Sequence, residues 1–183
     1  MTMRRWNIDP SHSGAQFTVR HLVISKVRGT FERWQGAIDF DPDKPEASKV
    51  SVRIEAASID THEPNRDQHL RSADFFDVEN YPAITFESSK IERRGKDRYR
   101  VLGELTMRGV TRPVELDAEY LGAGKDPWGN ERVGFFAKTA VNRKEFGLNW
   151  NQLLEGGGVV VSDQVEISLD VQAIGAKAVE QAA

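Results

Sequence analysis

Chemistry near neutral pH usually draws on histidine, cysteine or clustered carboxylates. This chain of 183 residues has four histidines and no cysteine. His12, His21, His62 and His69 have Asp9, Glu63 and Asp67 close to them in the sequence. A zinc or iron site needs three or four ligands converging at about 2.0–2.2 Å. His62 and His69 stand across a predicted turn, without the His-Glu-x-x-His spacing that puts two imidazoles on one helix face. No Gly-x-Ser-x-Gly elbow presents a serine. Gly156-Gly157-Gly158 lacks the following Lys-Ser/Thr of a phosphate loop. Without cysteine, disulfide frameworks, thiolate zinc sites and cysteine nucleophiles are excluded together. An enzyme using the His/Asp cluster, metal-dependent or otherwise, stays as one alternative.

The remaining polar candidates are His69, Arg71, Asn142 and Arg143. They flank the two places where the strand pattern breaks, and would meet a polar or anionic headgroup there. Arginine suits phosphate because its planar donors bind bidentately. A helix N-terminus at Asn65 or Ser72 would add backbone donors. In the competing reading these arginines pair with Asp67, Asp74 or Glu145, and His69 bonds to backbone.

The elements that must position these residues are mostly strands. Apolar and polar residues alternate in Ala15-Phe17-Val19, Trp34-Gly36-Ile38-Phe40, Val50-Val52-Ile54-Ala56 and Ile84-Phe86-Ser88. The pattern continues through Tyr99–Met107, Val114–Tyr120, Val133–Val141 and Val165–Val171, and Trp6–Ile8 reads as a short first strand. Gly29 is expected to mark a bulge or bend. Two interruptions stand out. In 65–82, Asn65 is expected to cap a helix with Gln68 reaching back, and Asp67 to pair with Arg71 four residues on. Ser72 then starts a second short turn bearing Phe75 and Phe76, ended by Tyr81-Pro82. The second interruption is 142–147.

About eight to ten antiparallel strands without long helices leave two architectures, a sandwich or a closed barrel. The long strands favour the barrel. Phe17, Val19, Ile38, Phe40, Val52, Ile54, Ile84, Phe86, Leu105 and Phe135 are expected to face inward, with Phe75 and Phe76 closing one end. Small residues on the same faces (Gly36, Ala56, Gly103, Ala118, Ala137) either leave space or relieve crowding; spacing leaves both open.

Composition sets outer bounds. A hydrophobic fraction of 39% and a charged fraction of 29% describe one ordinary globular domain, assigned to residues 1–175, with 176–183 a frayed tail. The net charge of −3 argues against broad nucleic-acid binding. No stretch has the apolar run of a membrane span, and Trp6–Pro10 after the Arg pair is no signal-peptide core, so a cytoplasmic location is expected unless a leader was removed.

Six short motifs in order resemble the YceI-like family of polyisoprenoid-binding proteins, over roughly Trp6 to Ile174. They are Ile8-Asp9-Pro10-Ser11-His12-Ser13; Arg20-His21-Leu22 with Gly29-Thr30-Phe31; Arg66-Asp67-x-His69-Leu70-Arg71-Ser72-x-Asp74-Phe75-Phe76-Asp77; Tyr81-Pro82-x-Ile84-Thr85-Phe86; Gly109-Val110-Thr111-Arg112-Pro113-Val114; and Asn142-Arg143-Lys144-Glu145-Phe146-Gly147-Leu148. The resemblance implies an all-β, lipocalin-like antiparallel barrel with one or two short helices at its pore. It implies non-enzymatic binding or transport of an isoprenoid or quinone-like lipid, without a cofactor, and a homodimer. A barrel with a filled core, serving as a protein-interaction module, is the other alternative.

Overall fold

The computed structural model describes residues 3–41 and 43–176. Of the expected tail, only Ala176 is among them; its amide donates to the Arg5 carbonyl at 2.9 Å, and 177–183 lie outside the described residues. The strands are β1 (Arg4–Ile8), β2 (Gly14–His21), β3 (Ser25–Phe31), β4 (Trp34–Phe40), β5 (Lys49–Glu55), β6 (Ile59–Asp60), β7 (Ala83–Arg93), β8 (Arg98–Met107), β9 (Val110–Lys125), β10 (Glu131–Asn142) and β11 (Val161–Gly175). One α-helix, α1 (Pro64–Arg71), joins β6 to the segment before β7.

Every pairing is antiparallel, and the ring β1-β4-β5-β7-β8-β9-β10-β11 closes where β1 pairs with β11. That closure decides for a barrel over a sandwich. Along one edge β11 serves two partners: residues 173–175 face β1, and 165–170, with Val161 beyond a register shift, face β2. β1 and β2 are therefore one wall strand interrupted by the 3-10 turn Pro10–His12. Proline has no amide to give the ladder, and the Asp9 side chain accepts from the Ser11 amide instead. The same interruption recurs beside it. β3 and β4 are one strand broken at residues 32 and 33, and β5 and β6 are one strand broken by the turn Ala56–Ser58. The breaks are bridged at one level, where the Glu32 amide donates to the Ser58 carbonyl and the Glu55 amide to the Arg33 carbonyl. Eleven strand segments thus form eight walls.

The period-two faces point as their sequence requires. Trp34, Ile38, Phe40, Val52, Ile84, Phe86, Tyr99, Val101, Leu116 and Ala137 are all buried. Of the small inward residues, the two glycines relieve crowding, while Ala118 and Ala137 border open space in the bore. A Cβ on Gly103 would stand 2.5 Å from the Glu87 carbonyl oxygen and 2.5 Å from the Phe86 ring. One on Gly36 would stand 2.6 Å from the Ser51 carbonyl oxygen. Gly29 does not mark a bulge: the β2–β3 register runs unbroken past it, and the Phe17 ring lies over it, 2.3 Å from where a Cβ would be. The β8–β9 turn is Arg108-Gly109, both with positive φ (50° and 72°), as a two-residue hairpin of matching twist requires.

Candidate functional site

Inside the barrel lies a cavity of about 240 Å³, bordered by side chains from all eight walls. All twelve residues expected to line a pore border it: Phe17, Val19, Ile38, Phe40, Val52, Ile54, Phe75, Phe76, Ile84, Phe86, Leu105 and Phe135. Phe31, Tyr99, Leu148, Val165 and Ile167 join them. Alternation in β8 and β11 marks Tyr99, Val165 and Ile167. Leu148 lies in an irregular segment where no period exists to mark it. The lining is apolar apart from Gln16, Ser48, Thr139 and a single charged residue, Arg143.

The two ends of the bore differ. At the end bearing the β7–β8 and β9–β10 hairpins, Phe40 lies 5.4 Å from Tyr120, 5.2 Å from Phe135 and 6.0 Å from Tyr99, measured between ring centroids. β4 and β9 stand opposite each other in the ring, so these contacts run across the bore and stop it. Burial pushes the Tyr120 phenol above its ordinary pKa, with Tyr99 and Asp97 adding to the shift. Aromatic rings also gather at the other end, but on loops. Phe31 meets Phe17 at 5.7 Å and Phe76 at 5.8 Å, and Phe75 meets Trp150 at 5.4 Å. Here β6 covers β3 only at Thr30 and Phe31, so α1 and the segment 72–82 replace a continuous wall.

The way α1 is fixed departs from the sequence expectation. Glu63, not Asn65, is the N-cap; its carboxylate accepts from the amides of Asn65 and Arg66. Pro64 takes the first helical position, where a missing amide costs nothing. Asp67 does not pair with Arg71. It is buried and accepts from the Thr61 amide at 2.9 Å and the Thr61 hydroxyl at 2.5 Å. Arg71 instead donates to the carbonyls of Ala57 and Ile59 at 2.8 and 2.9 Å. The Ser72 region is a run of turns, not a helix; the Ser72 carbonyl accepts from the amides of Phe75 and Asp77.

The four expected headgroup residues are not gathered at one point. His69 Nε2 lies 2.8 Å from Asp74, and its ring stands edge-on to Trp150 and Phe75. Asn142 caps the 3-10 turn Arg143–Phe146 by accepting from the Lys144 amide. Arg143 is buried, and it donates to the carbonyls of Ser162, Leu148 and Trp150 at 2.9, 2.6 and 2.8 Å. Its burial lowers the guanidinium pKa, which Asp163 partly offsets. Arg71 and Arg143 therefore hold loops by their carbonyls and do not pair with Asp67, Asp74 or Glu145 as the competing reading had it. Sequence reasoning missed Arg108, whose guanidinium donates to the Phe75 and Gly147 carbonyls and ties both interruptions together.

The first motif lies at the stopped end and serves a different purpose. Arg132 bridges Asp9 at 2.7 Å and Asp126 at 2.9 Å, locking β10 to the β1–β2 break. Hydrogen bonds from Ser11, Arg132 and His12 hold the Asp9 carboxyl far below the usual carboxylate range. Burial alone would raise Asp126, but bonds from Asn130, Arg132 and the Trp128 amide outweigh it and lower the pKa to about 2. Ser11, His12 and Asp9 touch, yet Ser11 Oγ and Asp9 both approach the same ring nitrogen, Nδ1, at 3.1 and 2.8 Å. A proton relay needs the acid on one nitrogen and the nucleophile on the other. Among the described residues no three His, Asp or Glu are grouped to hold a metal.

An up-and-down antiparallel barrel of eight walls around an apolar cavity, stopped at one end and roofed by loops at the other, is a lipocalin-like barrel. The chain belongs to the YceI-like domain family, whose model matches residues 6–173. It is 44% identical over 137 residues to a UPF0312 protein of Azotobacter vinelandii, covering 75% of this chain and 71% of that one. The crystal structure of a Campylobacter jejuni YceI protein matches with a TM-score of 0.75 and 33% identity, over 86% of this chain and 90% of that one. A polyisoprenoid binding domain from Saccharophagus degradans shares the fold with a TM-score of 0.69 and 15% identity, over 96% of this chain and all of that one.

Proposed function

We propose that the chain binds a long isoprenoid or quinone-like amphiphile, shields its tail in the barrel and carries it between sites. The observation behind this reading is a cavity whose every wall contributes apolar side chains. Such a lining cannot orient a polar substrate, but it gains from each methylene removed from water. At ~0.8 kcal/mol per CH₂, a five-carbon unit gives roughly 4 kcal/mol gross. Association takes back about 4–15 kcal/mol, so several units must enter before binding is tight. The twelve expected lining residues grip the tail, and the head rests at the loop-roofed end, under the charge of Arg143 with His69 close by. Arg71 and Asn142 hold that end in shape. The neighbour from Saccharophagus degradans, described as a polyisoprenoid binding domain, fits the same reading.

Native mass spectrometry of the purified protein, followed by solvent extraction, tests this. A stoichiometric prenyl lipid supports it; protein empty from every host that also takes up no prenyl chain overturns it. Filling the bore with Leu105→Trp or Ile167→Trp is expected to cut uptake about tenfold, the equivalent of one to two methylenes lost, in protein that still melts cooperatively. Full uptake in both variants would place the tail elsewhere.

A further inference from the structure

The β2–β3 hairpin, at the loop-roofed end, ends in Leu22-Val23-Ile24, and this tip is apolar where water should favour polar residues. Val23 is 68% exposed and Ile24 87%, with Leu153 of the adjoining loop 81% exposed. The tip is also strained. Leu22 and Val23 have φ of 54° and 67°, a region costly for any side chain and most of all for a β-branched one. Glycine or asparagine would suit this turn; the chain spends backbone strain to display a valine.

The flanks carry a second, independent signal. Arg20, Lys26 and Arg28 are exposed, and none has an ion pair among the described residues. Arg20 and Lys26 sit directly opposite each other on the ladder, an unfavourable like-charge pair. No Asp or Glu occurs between Asp9 and Glu32, in a chain whose net charge is −3. The neighbouring 147–160 loop has one acid, Glu155, at its own tip, and Asp163 is taken by Lys144 at 3.1 Å. An apolar point ringed by unpaired cations matches the interface of an anionic bilayer, with acyl chains for the tip and phosphates for the flanks.

The tip also joins the cavity. His21 pairs with Val161 and Val19 with Val165, and Val19, Val161 and Val165 border the bore. The Leu22 amide donates to the Val160 carbonyl, seating the hairpin on the loop that roofs it. We infer that this hairpin docks the barrel on an anionic phospholipid membrane, with its loop-roofed end toward the lipid. The inference rests on the carrier reading only for its purpose, delivery or pick-up of the tail.

Sedimentation of the full chain with vesicles tests it. Wild type should bind phosphatidylcholine vesicles containing phosphatidylglycerol at least about tenfold better than pure phosphatidylcholine, and salt should release it. The pair Val23→Gly with Ile24→Ser should lose at least about tenfold in binding, since it removes more apolar carbon than the one to two methylenes that a tenfold change requires. It should melt no lower than wild type, because glycine relieves the φ of 67°. Lys26→Glu with Arg28→Glu should abolish the preference for the anionic vesicle. Equal binding to both vesicles by wild type, or unchanged binding by both variants, overturns the proposal. So does light scattering in which the tip variant splits an oligomer while vesicle binding is unaltered, which would make the face a contact between copies. Extractable lipid is measured in each preparation. Wild type that holds lipid but ignores vesicles overturns docking alone, and variants that hold lipid but leave the vesicle support it.

Discussion

Arg143 shows how much a single residue can decide in an apolar bore. Its buried guanidinium donates to the carbonyls of Leu148, Trp150 and Ser162, which belong to two separate stretches of the chain. Arg143→Met should lower unfolding stability by about 3 kcal/mol in urea titration, since buried carbonyls lose their partners. Lysine should rescue little, because one ammonium cannot span three carbonyls held by a planar fork. Gly103→Ala should cost ~1–3 kcal/mol, because its methyl meets both backbone and the Phe86 ring. At the stopped end, acid is the probe. Asp9 and Asp126 titrate below an ordinary aspartate of ~3.9, so their stabilisation is complete above about pH 4. It is lost progressively as pH falls from about 4 towards about 2 for Asp126, and over a window that reaches lower still for Asp9. Arg132→Gln should move the acid-unfolding midpoint, followed by tryptophan fluorescence, to higher pH. The apolar lining was legible because a strand puts every second side chain on one face. The arginines were not: their partners are carbonyls of distant loops, which carry no residue-type signal.

Among the elements, the three broken wall strands matter most. β2, β3 and β6 hang below the common level of the breaks, and β6 offers β3 only two paired residues. Amide hydrogen exchange should therefore separate the wall into two groups, with β2, β3 and β6 opening well before β8, β9 and β10. Uniform protection around the ring would contradict this. Asp9-Pro10 announced the first break in the sequence. The other two, at residues 32–33 and 56–58, carry no proline or glycine, and chain chemistry alone does not mark them. Helix α1 was visible as a loss of alternation, yet its cap was misplaced by two residues because Glu is an uncommon N-cap and Asn65 a favoured one.

For the molecule as a whole, integrity turns on one short seam. Trp6, Asn7 and Ile8 meet Gly175, Ile174 and Ala173, and Ala173 is fully buried. A chain ending at Asp170 should leave β1 and β10 with unpaired edges, which invite aggregation. Size-exclusion chromatography should show soluble monomer or dimer lost to aggregate, and a well-behaved truncated protein would mean that the ring does not need its seam. Strand number and antiparallel order were readable from the sequence, and its long strands favoured a barrel; the seam that closes it was not, since it joins residues more than 160 positions apart.

The ring contacts of Phe40, Tyr99, Tyr120 and Phe135 carry one more consequence. From Val101 to Met107 the wall runs ~20 Å along β8, or ~15 Å of depth once the strand tilt is allowed for. A bore with a blind bottom measures whatever slides into it. Greasy contact is indifferent to functional groups but counts carbons, so two tails of unlike chemistry and equal length would be held alike. A tail too long for the depth must leave its surplus outside, in water or in whatever the mouth is resting on.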